Sequence, residues 1–193
     1  LRLYPDKKID VVEIDPQMTE TARKYFKLQD HPNLQIFHED GRVFLNQNRK
    51  KYDAILVDAF TSVYSVPFQL TTLEAVQLME KSLSDEGVVI VNLISAFEGE
   101  GAKFLQAEFR TYQAVFPNVY VFKAKTEKPA NLAQNAVIVA TKSNKPGFNS
   151  NDEAITALLK NRYTNSLDLS LPILTDELAP VEYYNSLAQK WTE

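Results

Sequence analysis

Apolar, strand-like stretches alternate with helix-like stretches along this chain, and the strand-like ones run into acidic or polar residues. Residues 9–14 read as a buried strand closing on Glu13. Residues 33–37 read as a second strand, with Asp40 just beyond it, and residues 52–58 as the clearest one, closing on Asp58. Between them, residues 18–28 show helical spacing with Ala22, Tyr25 and Phe26 on one face, and residues 41–48 suit a short helix. Such an alternation predicts an α/β domain with a mostly parallel sheet covered on both faces. In sheets of that kind, ligands bind beyond the carboxyl ends of the strands. Glu13, Asp15, Asp40, Asp58 and Asn92 are all placed at such ends by this reading.

The second half continues the pattern. Thr71-Thr72-Leu73-Glu74 carries a hydroxyl and a carboxylate three apart, the signature of a capping box. It predicts a helix with the stripe Leu73, Val76, Met79 and Leu83, stopped by Gly87. A continuous apolar strand over 88–93 follows, then a helix over 102–116 ended by Pro117. Residues 119–122 and 136–140 form a late pair of strands, 145–151 a turn-rich connector and 152–163 a terminal helix. Trp191 and the Tyr183-Tyr184 pair are expected to pack the terminal segment onto the body.

Composition narrows the chemistry. The 193 residues suffice for one ordinary domain, read here as a sheet core over 1–145 and a helical extension over 146–193. A net charge of −4, with the basic run limited to Arg49-Lys50-Lys51, argues against a nucleic-acid partner. There is no Cys, which removes disulfides, thiolate zinc sites and thiol catalysis, and fits a reducing, cytoplasmic setting. Only His31 and His38 are present, so no metal centre is expected, and neither is expected to be catalytic. No apolar run approaches the roughly 20 residues that span a bilayer.

Each acid has a structural reading beside a functional one. Glu13 can accept hydrogen bonds from both hydroxyls of a ribose, because an ionised carboxylate is acceptor-only and a vicinal diol offers two donors. Asp15, directly before Pro16, suits a helix N-terminus better. Asp40 before Gly41 can cap a helix or accept from the amine of a base. Asp58 can cap a loop or face an amine. Phe60, Tyr64, Phe68 and Gln69 on the loop over 59–70 suit either a lid or a loop folded onto its own core.

Three motifs then share an order. "IDVVEIDP" from Ile9, "HEDGRVFL" from His38 and "YDAILVDAF" from Tyr52 resemble the successive motifs of spermidine synthase-like proteins. "QNAVIVATK" from Gln134 resembles the strand that closes that family's sheet, and "LTDELAPVEYY" from Leu174 its terminal segment. The resemblance implies a Rossmann-like class I methyltransferase fold, its mostly parallel sheet carrying an antiparallel late strand. It also implies a co-substrate of the S-adenosylmethionine type or its decarboxylated form, a cationic small-molecule acceptor and no metal. On it, Glu13, Asp15, Asp40, Gly41 and Asp58 form the donor-binding set. Asp58 is the catalytic candidate, and Thr61, Tyr64 and Gln134 belong to the substrate or lid region.

Two departures from the family pattern shape the functional expectation. Where aminopropyltransferases carry two acids in "D-S-S/T-D-P", this chain reads Asp58-Ala59-Phe60-Thr61, so Thr61 replaces the second acid. The family's first strand and glycine-rich loop have no counterpart here, which leads to the expectation of a fold incomplete at its N-terminus. Aminopropyl transfer to a polyamine amine therefore stands beside two alternatives: a methyltransferase-type relative, and a non-catalytic interaction module. In the last, an unpaired sheet edge would favour a self-dimer or another chain. A dinucleotide-dependent enzyme is a third, weaker alternative, since an acid after the second strand also suits NAD.

Overall fold

The structure is a computed structural model that describes residues 1, 4–59, 66–125, 127–143, 147–148 and 150–189. The chain divides into two compact units, residues 1–48 and 49–193.

The first unit is a βαβα segment. β1 (Ile9–Val12) and β2 (Leu34–Phe37) pair in parallel, with Val11 opposite Ile36. α1 (Pro16–Tyr25) connects them. Pro16 sits at its first turn, where a missing N–H costs nothing, and Asp15 caps it by accepting from the Gln17 amide at 2.9 Å. α2 (Gly41–Gln47) follows β2 under the cap of Asp40. β1 stops at Val12, so Glu13 lies one residue beyond the strand rather than inside it. Both acids thus stand past the carboxyl ends of their strands. A Phe37–Phe44 ring contact with centroids 5.0 Å apart ties β2 to α2.

The second unit is built on a four-stranded sheet in the order β3–β4–β6–β5. Its strands are β3 (Tyr52–Val57), β4 (Leu83–Ser95), β5 (Asn118–Lys123) and β6 (Gln134–Thr141). β3 and β4 are parallel, whereas β6 runs antiparallel to both β4 and β5. The late pair read from the sequence is thus present, with the mixed topology expected. α3 (Leu73–Ser82) and α4 (Lys103–Gln113) pack on the sheet together with α6 (Val181–Gln189).

Those helices cover one face. On β4, Val89, Val91, Leu93 and Ser95 point into a core with Val76, Met79, Phe104, Leu105, Tyr112 and, from β6, Ala136 and Ile138. The intervening Ile90, Asn92 and Ile94 are only half-buried, and Leu56 of β3, on that same face, is 74% exposed. Within this unit the sheet is covered on one side, not on both as its apolar composition suggested.

Three boundaries differ from the sequence reading. Gly87 does not end α3; the helix passes straight into β4 at Leu83, and Gly87 lies inside that long strand. The register explains its presence. Tyr52 pairs with Leu83 but Ala54 with Val88, so β4 bulges between them. A Cβ on Gly87 would stand 2.8 Å from Leu83 Cβ and 3.0 Å from the Ser84 carbonyl oxygen. The terminal helix over 152–163 is shorter, α5 (Glu153–Leu159), capped by Asp152. α6, which no periodicity argument had marked, follows much later.

The terminal segment is fastened to α3. The Leu73 amide donates to the Leu174 carbonyl at 2.8 Å. Thr72, the N-cap, donates from its hydroxyl to Asp176 Oδ1 at 2.6 Å, and Glu74 Oε2 accepts from the Asp176 amide at 3.0 Å. The cap is therefore Thr72 rather than Thr71, and Glu74 serves the terminal segment. Of the terminal aromatics, Tyr184 is buried and Tyr183 is 60% exposed, while Trp191 lies outside the described residues.

Candidate functional site

In the first unit, two carboxylates follow two parallel strands. Glu13 Oε1 accepts from the Asp15 amide at 2.9 Å, which fixes the side chain over the β1–α1 turn. Among the described residues its second oxygen takes no hydrogen bond, leaving acceptor capacity for a ligand donor. Asp40 Oδ1 accepts from the amides of Arg42 and Val43 at 2.8 and 3.0 Å, so the cap is real and one oxygen is committed to it. Gly41 is the first residue of α2. Asp15 is committed to capping α1, the structural alternative considered for it. His38 Nε2 and Thr19 Oγ1 lie 2.9 Å apart, joining the end of β2 to α1.

In the second unit, Asp58 follows β3 directly and is exposed. The β3–β4 register carries Asp58 alongside Asn92, whose Nδ2 donates to Asp58 Oδ1 at 3.0 Å. Asn92 Oδ1 in turn accepts from Asn135 Nδ2 at 2.9 Å. An acid and two amides are thereby linked across three adjacent strands on the open face of the sheet. Asn92 is not at a strand end, since β4 continues to Ser95. Its polarity is explained by this contact. Asn135 was not foreseen; its signal was a polar residue at an exposed position of a strand whose neighbours are apolar.

The substrate or lid candidates divide. Thr61 and Tyr64 lie outside the described residues, as does Phe60. Gln134 begins β6 and is buried on the helix-covered face, not the face of Asp58. Its Nε2 donates to the Pro129 carbonyl at 3.5 Å, and its buried Oε1 has no partner among the described residues. Phe68 opens a short 3-10 turn before α3 and is half exposed. Among the described residues no cluster of His, Cys, Asp and Glu could hold a metal ion.

Comparison with known proteins places this geometry in a family. The spermine/spermidine synthase domain model matches residues 1–150, well over half of the chain. The chain belongs to the spermine/spermidine synthase family. Among relatives of this family member, a polyamine aminopropyltransferase of Vibrio vulnificus is 36% identical over 128 residues, covering 65% of this chain and 41% of that protein. A crystal structure of a probable spermidine synthase from Corynebacterium glutamicum superposes with a TM-score of 0.67 at 23% identity, over 81% of this chain and 55% of that one. Human methyltransferase-like protein 13, solved in complex with SAH, superposes with a TM-score of 0.60 at 24% identity, over 91% of this chain and 80% of that one. The fold is thus the Rossmann-like methyltransferase type, as the motif order implied. This spermine/spermidine synthase family chain spans less than half the length of the Vibrio relative. Among its described residues no helix is long and apolar enough to cross a membrane.

Proposed function

We propose that this chain serves group transfer from S-adenosylmethionine or its decarboxylated form to an amine, with aminopropyl transfer to a polyamine as the first reading. The observation that carries it is Asp58, an exposed carboxylate directly after β3 and held by Asn92. Family membership supports the same assignment.

The donor's sulfonium supplies an electrophilic carbon. An amine attacks only through its lone pair, so it must arrive unprotonated and aligned. Asp58 accepts a hydrogen bond from the attacking N–H, points the lone pair away from itself and stabilises the positive charge that grows on nitrogen. Asn92 keeps that carboxylate from swinging back into water. In the first unit, Glu13 offers an acceptor to the ribose hydroxyls, and Asp40 with Gly41 meets the adenine amine while still capping α2. Asp15 acts on the donor only through Glu13, because its amide holds the Glu13 carboxylate.

Methyl transfer is the second reading, favoured by Thr61 in place of the second family acid. A neutral hydroxyl there removes one charge that a polyamine ammonium would need. Thr61 and Tyr64 remain candidates for the acceptor side of either reaction, whereas the buried face that holds Gln134 does not support that role for it; a Cys-free set suits a cytoplasmic transferase without a metal.

The test is product analysis with the protein in its full natural length. Incubation with putrescine and each donor in turn, followed by mass spectrometry, should show an aminopropyl adduct that Asp58→Asn reduces about a hundredfold. A methylated amine would favour the second reading. No adduct with either donor would remove both and leave the interaction module.

A further inference from the structure

β6 runs antiparallel to β4 and starts where β4 ends, with Gln134 opposite Ser95. Its second residue, Asn135, is therefore carried to the carboxyl edge of β4, beside which Asp58 follows β3. Alternation along the strands puts Asp58, Asn92, Ile94, Asn135 and Val137 on one face, the open one. Asp58, Asn92 and Asn135 make a polar row across that face, and the half-buried Ile94 and Val137 flank it.

The charge of Asp58 dictates how each group in the row points. An ionised carboxylate only accepts, so Asn92 turns Nδ2 to it, at 3.0 Å. Asn92 Oδ1 then faces the other way and needs a donor, which is Asn135 Nδ2 at 2.9 Å. Asn135 is left presenting Oδ1 as the outer end of the row. Among the described residues this oxygen takes no hydrogen bond, and neither does Asp58 Oδ2. Both amides aim their N–H ends at the carboxylate and their oxygens away from it. The dipoles add, and they carry negative potential out to Asn135 Oδ1.

The row thus offers two acceptors to positively charged N–H donors, a full charge at Asp58 and the negative end of a polarised amide at Asn135. Two inter-strand spacings, roughly 10 Å, separate the strands that bear them. Hydrogen bonds of about 2.9 Å that lean inward at each end leave roughly 5–8 Å between two donor nitrogens. That is the reach of a short linear diamine, with Ile94 and Val137 as an apolar bed for its methylenes. A monoamine of the same length fills one end only.

We propose that Asn135 is a specificity-determining residue of the acceptor site, its Oδ1 receiving the distal ammonium of a linear diamine whose near amine meets Asp58. The assignment rests on the group-transfer reading for the amine at Asp58. It deepens that reading by supplying a second contact in a chain whose Thr61 carries no charge.

Calorimetry with putrescine and, separately, butylamine tests it, on the protein in its full natural length with methylthioadenosine present. Putrescine should bind about fivefold more tightly than butylamine, the scale of one added hydrogen bond. Asn135→Ala should abolish that preference by weakening putrescine alone. Asn135 is exposed, so thermal unfolding of the variant should match that of the unsubstituted protein. Equal affinity for the two amines, or a preference that survives Asn135→Ala, overturns the proposal. An equal loss for both amines overturns it too, because Asn135 would then act only through Asn92 on Asp58. Product analysis on the same proteins keeps the two readings apart. An adduct on putrescine without any dependence on Asn135 removes this assignment and leaves group transfer standing. A preference for putrescine that depends on Asn135, without any adduct, supports the diamine site and contradicts group transfer.

Discussion

Asn92 donates a 3.0 Å hydrogen bond from Nδ2 to Oδ1 of Asp58, joining the middle of β4 to the first residue beyond β3. Asn135 stands behind Asn92 at 2.9 Å, so the amide cannot turn without losing two contacts. The carboxylate is aimed by its neighbours rather than by burial, which suits a group that must meet a substrate amine.

Asn92 should therefore act as a positioning residue. Asn92→Ala is expected to lower kcat about tenfold while leaving the KM for the donor nearly unchanged, a loss of about 1.4 kcal/mol in the transition state alone. A merely structural role would lower stability instead. Steady-state kinetics beside thermal unfolding of the same variant separates the two, and Asn92→Gln should not restore the rate, because its amide is one carbon too long.

The clamp of the terminal segment makes a stability prediction. Thr72 caps α3 and donates to Asp176 at the same time. Thr72→Val keeps the shape but loses both interactions, and should cost about 1–2 kcal/mol. Asp176→Ala leaves the cap intact and should cost less. Urea unfolding of the two variants checks the order.

Gly87 gives a sharper steric case. Gly87→Ala places a methyl 2.8 Å from Leu83 Cβ, where Leu83 is itself fully buried. The bulge must open, and the Gly87 carbonyl, which accepts from Thr141 Oγ1 at 3.2 Å, moves with it. A loss of about 1–3 kcal/mol is expected. Calorimetric unfolding would measure it.

Much of the framework was legible in the sequence, for identifiable reasons. Residues 52–57 and 88–93 are short, mostly apolar runs rich in Val and Ile, a composition that favours strands, and both are strands. Asp15 before Pro16 and Asp40 before Gly41 marked two helix starts through the local chemistry of capping. What stayed hidden depends on contacts distant in sequence. Gly87 reads as a helix stop until the β3–β4 register reveals a bulge. Glu74 reads as half of a capping box until Asp176, about a hundred residues on, claims it. Asn135 has no meaning until β6 lies beside β4. α6 did carry a local signal, Val181, Tyr184, Leu187 and Ala188 at helical spacing and all buried, which the expectation of a terminal segment packed by its aromatics passes over.

Glu108 predicts a pH dependence. It lies on α4, fully buried, with Oε2 lacking any partner among the described residues. Burial penalises the charged form and raises its pKa well above the ordinary 4.5. The folded state thus keeps a proton that the unfolded chain releases once pH passes that ordinary value, and stability falls as pH rises from there toward the folded pKa. Glu108→Gln removes the proton and the slope. Its stability relative to the unsubstituted chain should be least favourable in acid and improve steadily toward alkaline pH, as urea midpoints at about pH 4 and pH 8 would show.

The central claim is that Glu13 holds the ribose of a sulfonium nucleoside. Calorimetry of methylthioadenosine with the protein in its full natural length tests it most directly, because this probe carries the nucleoside without the transferable group. The account predicts one site per chain and a loss of affinity of about tenfold or more in Glu13→Ala, the range expected when an acceptor for two hydroxyls is removed. Absence of binding, or equal affinity in the Glu13→Ala protein, would contradict it.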